Sequence, residues 1–448
     1  MIRAEPGQIA NWVHGRLLGP EADVTCVGLS TDTRTLVAGN LFVCLRGPNF
    51  DGHDFAEAAV AAGASAVVAE RRLDIDVPQI LVVNGRTALG TIGASWRARF
   101  HIPVLAVTGS NGKTTVKECL AAILRRAGNT LATRGNLNND IGVPLMLSEL
   151  GDEHAAAVLE LGANHPGEIA TLTRLVDPDV GTITNAAAAH LEGFGSVAGV
   201  ARAKGELLAG LAMTGHAVYA ADSEWTPTWR ELAGARAQVT FGEDEGADVY
   251  VTAAADGALT LHIGTDSMPV EFPLPGAHNR RNAAAAAAAA WAAGYPPATI
   301  AAGLADVAPV PGRLVTRRGP QGSRLLDDSY NANPGSFVAA LAVLGEADGP
   351  KWTVVGEMAE LGTDTAAAHT QLGEQARAAG VTRLWAIGPS AERTCAGFGE
   401  GAVVAEDLDV LAAELRAALD STVTLLIKGS RSNALERLVE RLIHEEEG

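Results

Sequence analysis

Short apolar runs and longer amphipathic stretches alternate along most of the chain. A run such as Leu41–Leu45 has the length and composition of a buried strand, whereas Arg86–Phe100 repeats apolar residues at helical spacing. Further helices are predicted at Gln8–Leu18 and Phe55–Ala62, the latter with Asp54 as its cap. Strands that alternate with helices predict parallel sheets covered by helices, so the predicted fold class is α/β.

The alternation of strands and helices predicts that the chain forms three domains. Residues 1–100 are predicted to form a small α/β domain, residues 101–311 a central domain with a mostly parallel sheet, and residues 312–448 a Rossmann-like, doubly wound domain. The segment Pro309–Arg313 separates the last two, because two prolines and a glycine end the preceding helix. The strands of the last domain are predicted at Arg324–Leu326, Trp352–Val355, Arg383–Ile387, Ala402–Val404 and Thr424–Ile427.

A glycine-rich turn follows the apolar run Val104–Val107. It reads Gly109-Ser110-Asn111-Gly112-Lys113-Thr114-Thr115 and leads into an amphipathic helix. Such a turn points backbone N–H groups at an anion, the lysine reaches terminal phosphates, and the next hydroxyl binds Mg²⁺. Val107 stands where the complete P-loop pattern has its first glycine, and a strand–helix turn without a ligand is the alternative. The order of strand, bend, lysine and hydroxyl pair favours a nucleoside triphosphate site, so the sheet of residues 101–311 is predicted to be of the P-loop ATPase type.

Other polar residues follow predicted strands of the central domain. Glu160 ends the run Ala155–Leu159, and Asn185 and His190 follow the run Val180–Thr184. Because the carboxyl ends of parallel strands share one edge of a sheet, we expect Glu160 and His190 beside the triphosphate. There they are candidate Mg²⁺ ligands. A lone strand-end glutamate would otherwise indicate a solvated turn.

Composition narrows the class of partner. The net charge of −18 excludes a general nucleic-acid surface, which requires a basic face. The four cysteines have no metal-ligand spacing and are typical of a reduced cytoplasmic protein. The longest apolar run, Ala283–Ala293, is shorter than the roughly 20 residues that span a bilayer. With no N-terminal targeting signal, we expect a cytoplasmic protein without membrane insertion, and a close-packed helix at the alanine run.

Over essentially its whole length, the chain resembles the amide-forming Mur ligases of peptidoglycan synthesis. The motifs that carry the resemblance occur in the family's order: Thr108–Thr115, Glu160–Ala163, His190, Lys204, His278-Asn279 with Asn282, Gly312-Arg313, Asp328 and Lys428–Arg431. Three further stretches are most similar to members that accept D-alanyl-D-alanine: Gly135–Pro144, Asn164–Ile169 and Asp328–Pro334. The Asp-Asn-Pro-Arg motif of members that add a diamino acid is absent. The chain departs from the usual sequence of the family at two loops. It has alanines at 186–189, and it has Gly335 where an aspartate is common, so both differences concern loop geometry.

The resemblance implies roles for these residues. ATP would be bound by the glycine-rich turn and by Asn279, Asn282, Arg313 and Asp328, and Mg²⁺ by Thr114, Glu160 and His190. The catalytic residues would be Lys113, Glu160, His190 and Lys204, the last one carbamylated to supply an anion near the metal. A UDP-linked substrate would contact Ser30, Thr31, Asp32, Arg34, Asn138 and Asn139, and the acceptor would contact Asn331 and Asn333. From the residues alone, Ser30–Arg34 is more typical of a structural turn than of a binding site. Asn138-Asn139 fits a helix-capping loop as well as it fits a binding site.

The implied reaction joins D-alanyl-D-alanine to UDP-N-acetylmuramoyl-tripeptide. ATP would phosphorylate the terminal carboxylate of the tripeptide, and the amine of the dipeptide would attack the acyl phosphate. Three domains would serve three ligands in a monomer, with the last domain closing over ATP. Two alternatives remain. One is a sibling ligase with another acceptor, such as a free amino acid or a folate polyglutamate chain, and the other is a phosphate-loop kinase or regulator that forms no amide.

Overall fold

The computed structural model describes residues 1–19, 24–188, 191–255, 257–359 and 361–443. Sheets of five, nine and six strands follow one another along these residues, together with a two-stranded sheet near the N terminus. Helices connect most of the strands, so the predicted α/β class is confirmed. None of the described helices combines the length and the apolar character that crossing a bilayer requires.

The N-terminal part is built on the five-stranded sheet, in the order β2-β7-β6-β5-β4. The strands from β4 to β7 are parallel, and β2 is an antiparallel edge. The elements are β1 (Arg3–Ala4), α1 (Pro6–Trp12), β2 (Arg16–Leu18), β3 (Cys26–Val27), β4 (Leu29–Ser30), β5 (Leu41–Val43), α2 (Ala56–Ala61), β6 (Ala66–Ala69), β7 (Gln79–Leu81) and α3 (Gly85–Arg97).

Two local predictions in this part are wrong. The helix predicted over Gln8–Leu18 ends at Trp12, because His14 has a positive φ of 50° and the chain returns as β2 beside β7. The predicted cap Asp54 does not cap α2. Instead Asp51 accepts a hydrogen bond of 3.0 Å from the His53 backbone N–H at the start of a short 3₁₀ turn that leads into α2.

The central part is built on the nine-stranded sheet, in the order β16-β15-β14-β13-β12-β11-β8-β10-β9. It is parallel from β9 to β14, and only β15 and β16 add antiparallel strands at one edge. Its strands are β8 (Val104–Thr108), β9 (Thr130–Ala132), β10 (Ala156–Glu160), β11 (Val180–Ile183), β12 (His216–Ala220), β13 (Ala237–Gly242), β14 (Val249–Ala253), β15 (Leu259–Ile263) and β16 (Asp266–Val270). Its helices are α4 (Lys113–Arg125), α5 (Gly142–Ser148), α6 (Glu168–Val176), α7 (Leu191–Phe194), α8 (Val197–Gly210), α9 (Thr226–Ala233), α10 (Ala277–Ala292) and α11 (Pro297–Ala305).

The alanine run forms the middle of α10 and is buried on every side. Each alanine from Ala283 to Ala290 is at most 1% exposed, and the helix packs against α4 and the strands β12 to β14. Side chains this small let the helix backbone approach both neighbours closely. The prediction of a close-packed helix is confirmed, and this packing holds the first turns of α10 beside the start of α4.

The C-terminal part is built on the six-stranded sheet, in the order β17-β18-β22-β19-β20-β21. Only β17 (Val315–Arg318) is antiparallel. This edge strand was not predicted, because it is half exposed and ends in two arginines. The elements are β17 (Val315–Arg318), β18 (Arg324–Asp328), α12 (Pro334–Gly345), β19 (Lys351–Val355), α13 (Thr365–Ala378), β20 (Val381–Ala386), α14 (Ala391–Phe398), β21 (Ala402–Val404), α15 (Leu408–Ala418), β22 (Thr424–Lys428) and α16 (Glu436–Ile443).

Helix α3 joins the N-terminal and central parts. It packs on α5 and α6, and a Cβ atom at Gly93 would lie 2.8 Å from Pro144 Cα. One continuous apolar core contains Val68 and Leu89 together with Met146. The cores of the C-terminal sheet contain residues from 314 onward only.

Replacing Ala286 by leucine tests the packing of α10. The added carbons have no space, and overpacking a filled core costs about 1–3 kcal/mol of the free energy of unfolding. The midpoint of urea-induced unfolding should fall accordingly. Ala298→Leu, at an exposed position of α11, is the matched control and should change the free energy by less than about 0.5 kcal/mol. Equal midpoints for both variants would contradict the close packing.

Candidate active site

A cleft of about 1140 Å³ lies where the three parts of the chain meet. The central part contributes the glycine-rich turn, the end of β10 and the start of α10. The N-terminal part contributes Arg86 on α3, and the C-terminal part contributes the turns that follow β18 and β22. The carboxyl ends of the parallel strands therefore open into the cleft, as the sequence predicts.

The glycine-rich turn connects β8 to α4 and is closely surrounded. A Cβ atom at Gly109, where φ is 148°, would lie 1.9 Å from Thr184 Oγ1. At Gly112, where φ is 80°, it would lie 2.3 Å from Asn282 Oδ1. Both positions therefore require glycine for space as well as for backbone conformation.

Asn185 holds this turn from the neighbouring strand. Its backbone carbonyl accepts a hydrogen bond of 3.0 Å from Ser110 N–H, and its Oδ1 accepts one of 3.0 Å from Asn111 N–H. Its Nδ2 donates to the Asn111 carbonyl over 3.0 Å. From the sequence, Asn185 is predicted only to follow a strand, because nothing local in the sequence reveals this pairing.

Lys113 lies across the turn. Its Nζ donates to the carbonyl oxygens of Gly109 and Ser110 over 2.8 and 3.2 Å. Desolvation lowers the pKa of Lys113, Glu160 opposes this effect and Arg313 adds to it. The ammonium group is therefore at the mouth of the turn, where the phosphates of a nucleotide would be bound.

Thr114 and Glu160 converge on one point of the cleft. Thr114 Oγ1 donates to Glu160 Oε2 over 2.9 Å, and Asn138 Nδ2 donates to Glu160 Oε1 over 2.8 Å. Arg313 Nη2 donates to Thr114 Oγ1 over 3.1 Å. A hydroxyl and a buried carboxylate are hard oxygen donors, so these residues fit Mg²⁺.

No group of three or more histidine, cysteine, aspartate or glutamate residues in the described ranges could hold a metal by itself. The predicted metal ligand His190 lies outside the described residues. Among the described residues, the candidate metal centre therefore consists of Thr114 and Glu160.

Lys204 lies on α8 and is only 2% exposed. Its Nζ is 3.4 Å from the Ala163 carbonyl oxygen and 5.3 Å from the centre of the Phe194 ring. Burial lowers the pKa of Lys204 to about 7, and the nearby charge of Lys113 adds to this effect. Half of this amine is consequently neutral, and therefore nucleophilic, near neutral pH.

The first turns of α10 bring two predicted nucleotide residues to the cleft. Asn282 Nδ2 donates to Asn279 Oδ1 over 3.2 Å, and Asn279 Nδ2 donates to the Pro275 carbonyl over 2.8 Å. His278 lines the same wall, although it was not among the predicted site residues. Burial lowers its pKa and Asp328 opposes this effect. The signal that could have identified it is the His278-Asn279 motif itself.

The C-terminal part contacts the glycine-rich turn directly. Asn333 Nδ2 donates to Asn111 Oδ1 over 2.6 Å, while Asn333 Oδ1 caps α12 by accepting from Ser336 N–H over 2.9 Å. The structure thus brings Asn333, predicted to contact the acceptor, against the phosphate-binding turn. Asn331 also lines the cleft.

Asp328 and Lys428 form a buried ion pair in the same wall. Lys428 Nζ donates to Asp328 Oδ2 over 2.6 Å and to the Asn331 carbonyl over 2.9 Å. Burial lowers the pKa of Lys428, and Asp328 opposes this effect. Asp328 Oδ1 accepts from Leu314 N–H over 3.1 Å, which ties the strand β18 to the linker.

The residues predicted for the UDP-linked substrate fall into two places. Asn138 and Asn139 line the cleft, and Asn139 Oδ1 caps the start of α5 by accepting from the N–H of Gly142 over 2.8 Å. Ser30 ends β4, and Thr31, Asp32 and Arg34 lie in the turn that follows; none of the four lines the cleft. There Asp32 and Arg34 form an exposed ion pair of 2.6 Å.

Comparisons with known proteins cover nearly the whole chain. Residues 25–122 match the model of the Mur ligase family catalytic domain, residues 107–290 the Mur ligase middle domain, and residues 312–431 the Mur ligase glutamate ligase domain.

Individual relatives agree with these matches. The chain is 45% identical to the UDP-N-acetylmuramoyl-tripeptide–D-alanyl-D-alanine ligase of Escherichia coli K12, over 99% of both chains. It is 34% identical to a crystal structure of MurF from Acinetobacter baumannii, with a TM-score of 0.92 over 99% of this chain and 100% of that one. A crystal structure of MurF from Thermotoga maritima in complex with ADP gives a TM-score of 0.84 at 29% identity, over 94% of this chain and 98% of that one. The chain belongs to the Mur ligase family.

Proposed function

We propose that this protein is an ATP-dependent ligase that joins D-alanyl-D-alanine to UDP-N-acetylmuramoyl-tripeptide. The observation that carries the proposal is the single cleft in which the glycine-rich turn, the Thr114–Glu160 pair and the turns of the C-terminal part converge. The identity of 45% to a ligase with this activity, over 99% of both chains, supports the choice of substrates. The protein is then an amide-forming enzyme of peptidoglycan synthesis.

The chemistry follows from the need to activate a carboxylate. The γ-phosphoryl group of ATP is transferred to the terminal carboxylate of the tripeptide, which breaks the bond to ADP and forms an acyl phosphate. The amine of the dipeptide attacks the acyl carbon, loses a proton, and expels inorganic phosphate. The first step brings two anions together, and Lys113 at the mouth of the turn offsets their repulsion.

Thr114 and Glu160 would hold Mg²⁺ in this site, because they present a hydroxyl and a carboxylate at one point. A bound magnesium ion supplies positive charge next to the phosphates. Asn138 and Arg313 orient this pair by donating hydrogen bonds to its two members. His190 remains a predicted metal ligand outside the described residues.

Lys204 supports a further covalent feature. Its neutral amine would add to CO₂ and release one proton, which forms a carbamate and replaces a cation by an anion. Burial increases the fraction of this amine that is neutral and reactive at neutral pH, because it lowers the pKa of the amine to about 7. Glu168 and Glu206 oppose the lowering of this pKa, but neither forms an ion pair with Lys204 in the described part of the chain.

The remaining assignments extend the proposal to the whole chain. We infer that residues 1–100 bind the UDP moiety, residues 101–311 bind ATP, and residues 312–448 bind the acceptor and close on ATP. Asn282 would contact adenine, and Arg313 and Asp328 would contact the rest of the nucleotide. We also infer that the protein is a monomer, in which three domains serve three ligands. Its substrates, ATP and a UDP-linked sugar, support a cytoplasmic location.

The dependence of phosphate release on both substrates tests the activity. We expect ADP and phosphate only when ATP, UDP-N-acetylmuramoyl-tripeptide and D-alanyl-D-alanine are all present, with the UDP-linked pentapeptide as product by mass spectrometry. Turnover with a free diamino acid or with glutamate, in place of the dipeptide, would favour a sibling ligase. ATP use without either acceptor substrate would favour a phosphate-loop regulator.

Gly109→Ala should abolish nucleotide binding. The new Cβ atom would lie 1.9 Å from Thr184 Oγ1, so the turn or the end of β11 must move. Calorimetric titration with ADP measures the loss. Gly39→Ala is the control, because Gly39 also has a positive φ, of 94°, but no atom within 4 Å of the added Cβ. Unchanged ADP affinity in Gly109→Ala would mean that this turn does not bind the nucleotide.

The carbamate should depend on pH in a defined direction. At a constant partial pressure of ¹³CO₂, the neutral fraction of Lys204 rises with pH and reaches one half near the pKa of about 7. The ¹³C carbamate signal of the protein should therefore increase between about pH 6 and pH 8. Lys204→Gln should lack the signal and lose most of the ligase activity. A fully active Lys204→Gln enzyme would refute the carbamate role.

A further inference from the structure

The acceptor carries a charge that the reaction does not consume. In the proposed function, the amine of the dipeptide reacts, whereas its carboxylate remains an anion. The protein itself has a net charge of −18, so an anionic acceptor is bound only where a local cation compensates this field. A residue that binds this carboxylate would distinguish a dipeptide with a free C-terminus from neutral analogues.

The wall of the cleft that faces the glycine-rich turn is where such a cation is expected. The acyl phosphate forms beside Lys113 and Thr114, and the amine has to reach it. An extended dipeptide is about 7 Å long, so its carboxylate is about that far from the reacting amine. The C-terminal part touches the turn through Asn333 and also lines the cleft, so we expect the carboxylate to meet this part of the chain.

Most cationic side chains of the cleft already contact other groups of the protein, so they are poor candidates for binding the acceptor carboxylate. Lys113 lies across the turn, and Arg313 donates to Thr114. Lys428 is 2% exposed and is held by Asp328. These three cations therefore serve the nucleotide side of the cleft or the ion pair beneath it.

Two further arginines line the cleft away from this wall. Arg86, on α3, is paired with Asp140 over 2.8 Å at the side of the N-terminal part. Arg281, on α10, is bound by Asp222 through both of its terminal nitrogens. Neither belongs to the C-terminal part of the chain.

Arg431 differs from all of these in exposure and orientation. It follows β22 and lines the cleft, and its side chain is 65% exposed. Its one side-chain hydrogen bond to another described residue runs from Nη1 to Glu436 Oε1 over 2.8 Å. The guanidinium lies 5.7 Å from the centre of the Tyr330 ring, and the guanidinium of Arg313 lies 4.3 Å from the same ring centre. Glu436 and Tyr330 thus hold Arg431 in place, while its other nitrogens remain available.

We propose that Arg431 binds the carboxylate of the acceptor dipeptide, with Tyr330 and Glu436 as its positioning residues. The inference rests on the proposed function. A planar guanidinium offers two parallel N–H donors to a carboxylate, whereas a lysine at this place would offer a single point charge. Arg431 then acts in acceptor specificity and takes no part in nucleotide binding.

Comparison of two acceptors tests this assignment. Phosphate release is measured with D-alanyl-D-alanine and with D-alanyl-D-alaninamide, which lacks the carboxylate charge, at saturating ATP and UDP-linked tripeptide. The wild-type protein should prefer the acid. In Arg431→Gln, the kcat/KM for the acid should fall between about 10-fold and 100-fold, mainly through KM, because a hydrogen bond to a charged group is lost. The kcat/KM for the amide should stay nearly constant, so the preference falls towards one.

Three controls accompany this comparison. Arg431→Lys should keep an intermediate preference, because the charge remains and the paired donors do not. Arg437→Gln removes an exposed arginine of α16 that does not line the cleft, and should behave as wild type. The KM for ATP should be unchanged in every variant.

The outcomes separate this inference from the proposed function. An Arg431→Gln variant that loses activity equally with both acceptors, or with neither, would overturn the role of Arg431, as would a wild-type protein that does not prefer the acid. A wild-type protein that uses neither acceptor would overturn the proposed function itself, and this inference with it.

Discussion

The active-site cleft depends on how closely three strand ends approach one another at the glycine-rich turn. Strand β8 lies between β10 and β11, and position 109 has no space for a side chain beside Thr184. On the other side, Thr108 Oγ1 donates to the Leu161 carbonyl over 2.8 Å. The shape of the turn is therefore imposed by its two neighbours. Glu160, at the end of β10, is consequently held beside Thr114 before any ligand arrives, which is the preorganisation that phosphoryl transfer requires.

The two flanking parts of the chain are attached to this centre in different ways. The N-terminal part shares an apolar core with the central part through α3, so separating them would expose buried hydrocarbon. The C-terminal part has cores of its own and touches the turn through polar contacts such as Asn333 with Asn111. Each such contact contributes only about 1 kcal/mol net, because water replaces it when it breaks. Separating the C-terminal part from the glycine-rich turn would therefore cost less free energy than separating the N-terminal part from the central part.

Local patterns predicted the features that depend on neighbouring residues in the chain. The start of α4 at Lys113, the strand that ends in Glu160 and the buried alanine helix all have such signals, and the structure contains them. The end of α1 and the strand β17 were missed, because pairing with a distant strand decides their structure. The contact between Asn333 and Asn111 spans 222 residues, and no pattern within either segment indicates it. Side-chain partnerships across the cleft are therefore the part of the site that required a structure.

The alanine run of α10 has a consequence for the position of this helix along its own axis, relative to the sheet. Every turn of this run presents the same methyl groups, so the run itself does not distinguish a packing displaced by one turn along the helix axis. The axial position must therefore be set at the ends of the helix. At the N-terminal end, the amide of Asn282 abuts Gly112, and that of Asn279 is tied to Pro275. The amide of Asn282, which touches the nucleotide-binding turn, thus also fixes the position of α10 along its axis relative to the sheet. This helix is the longest described helix of the central part.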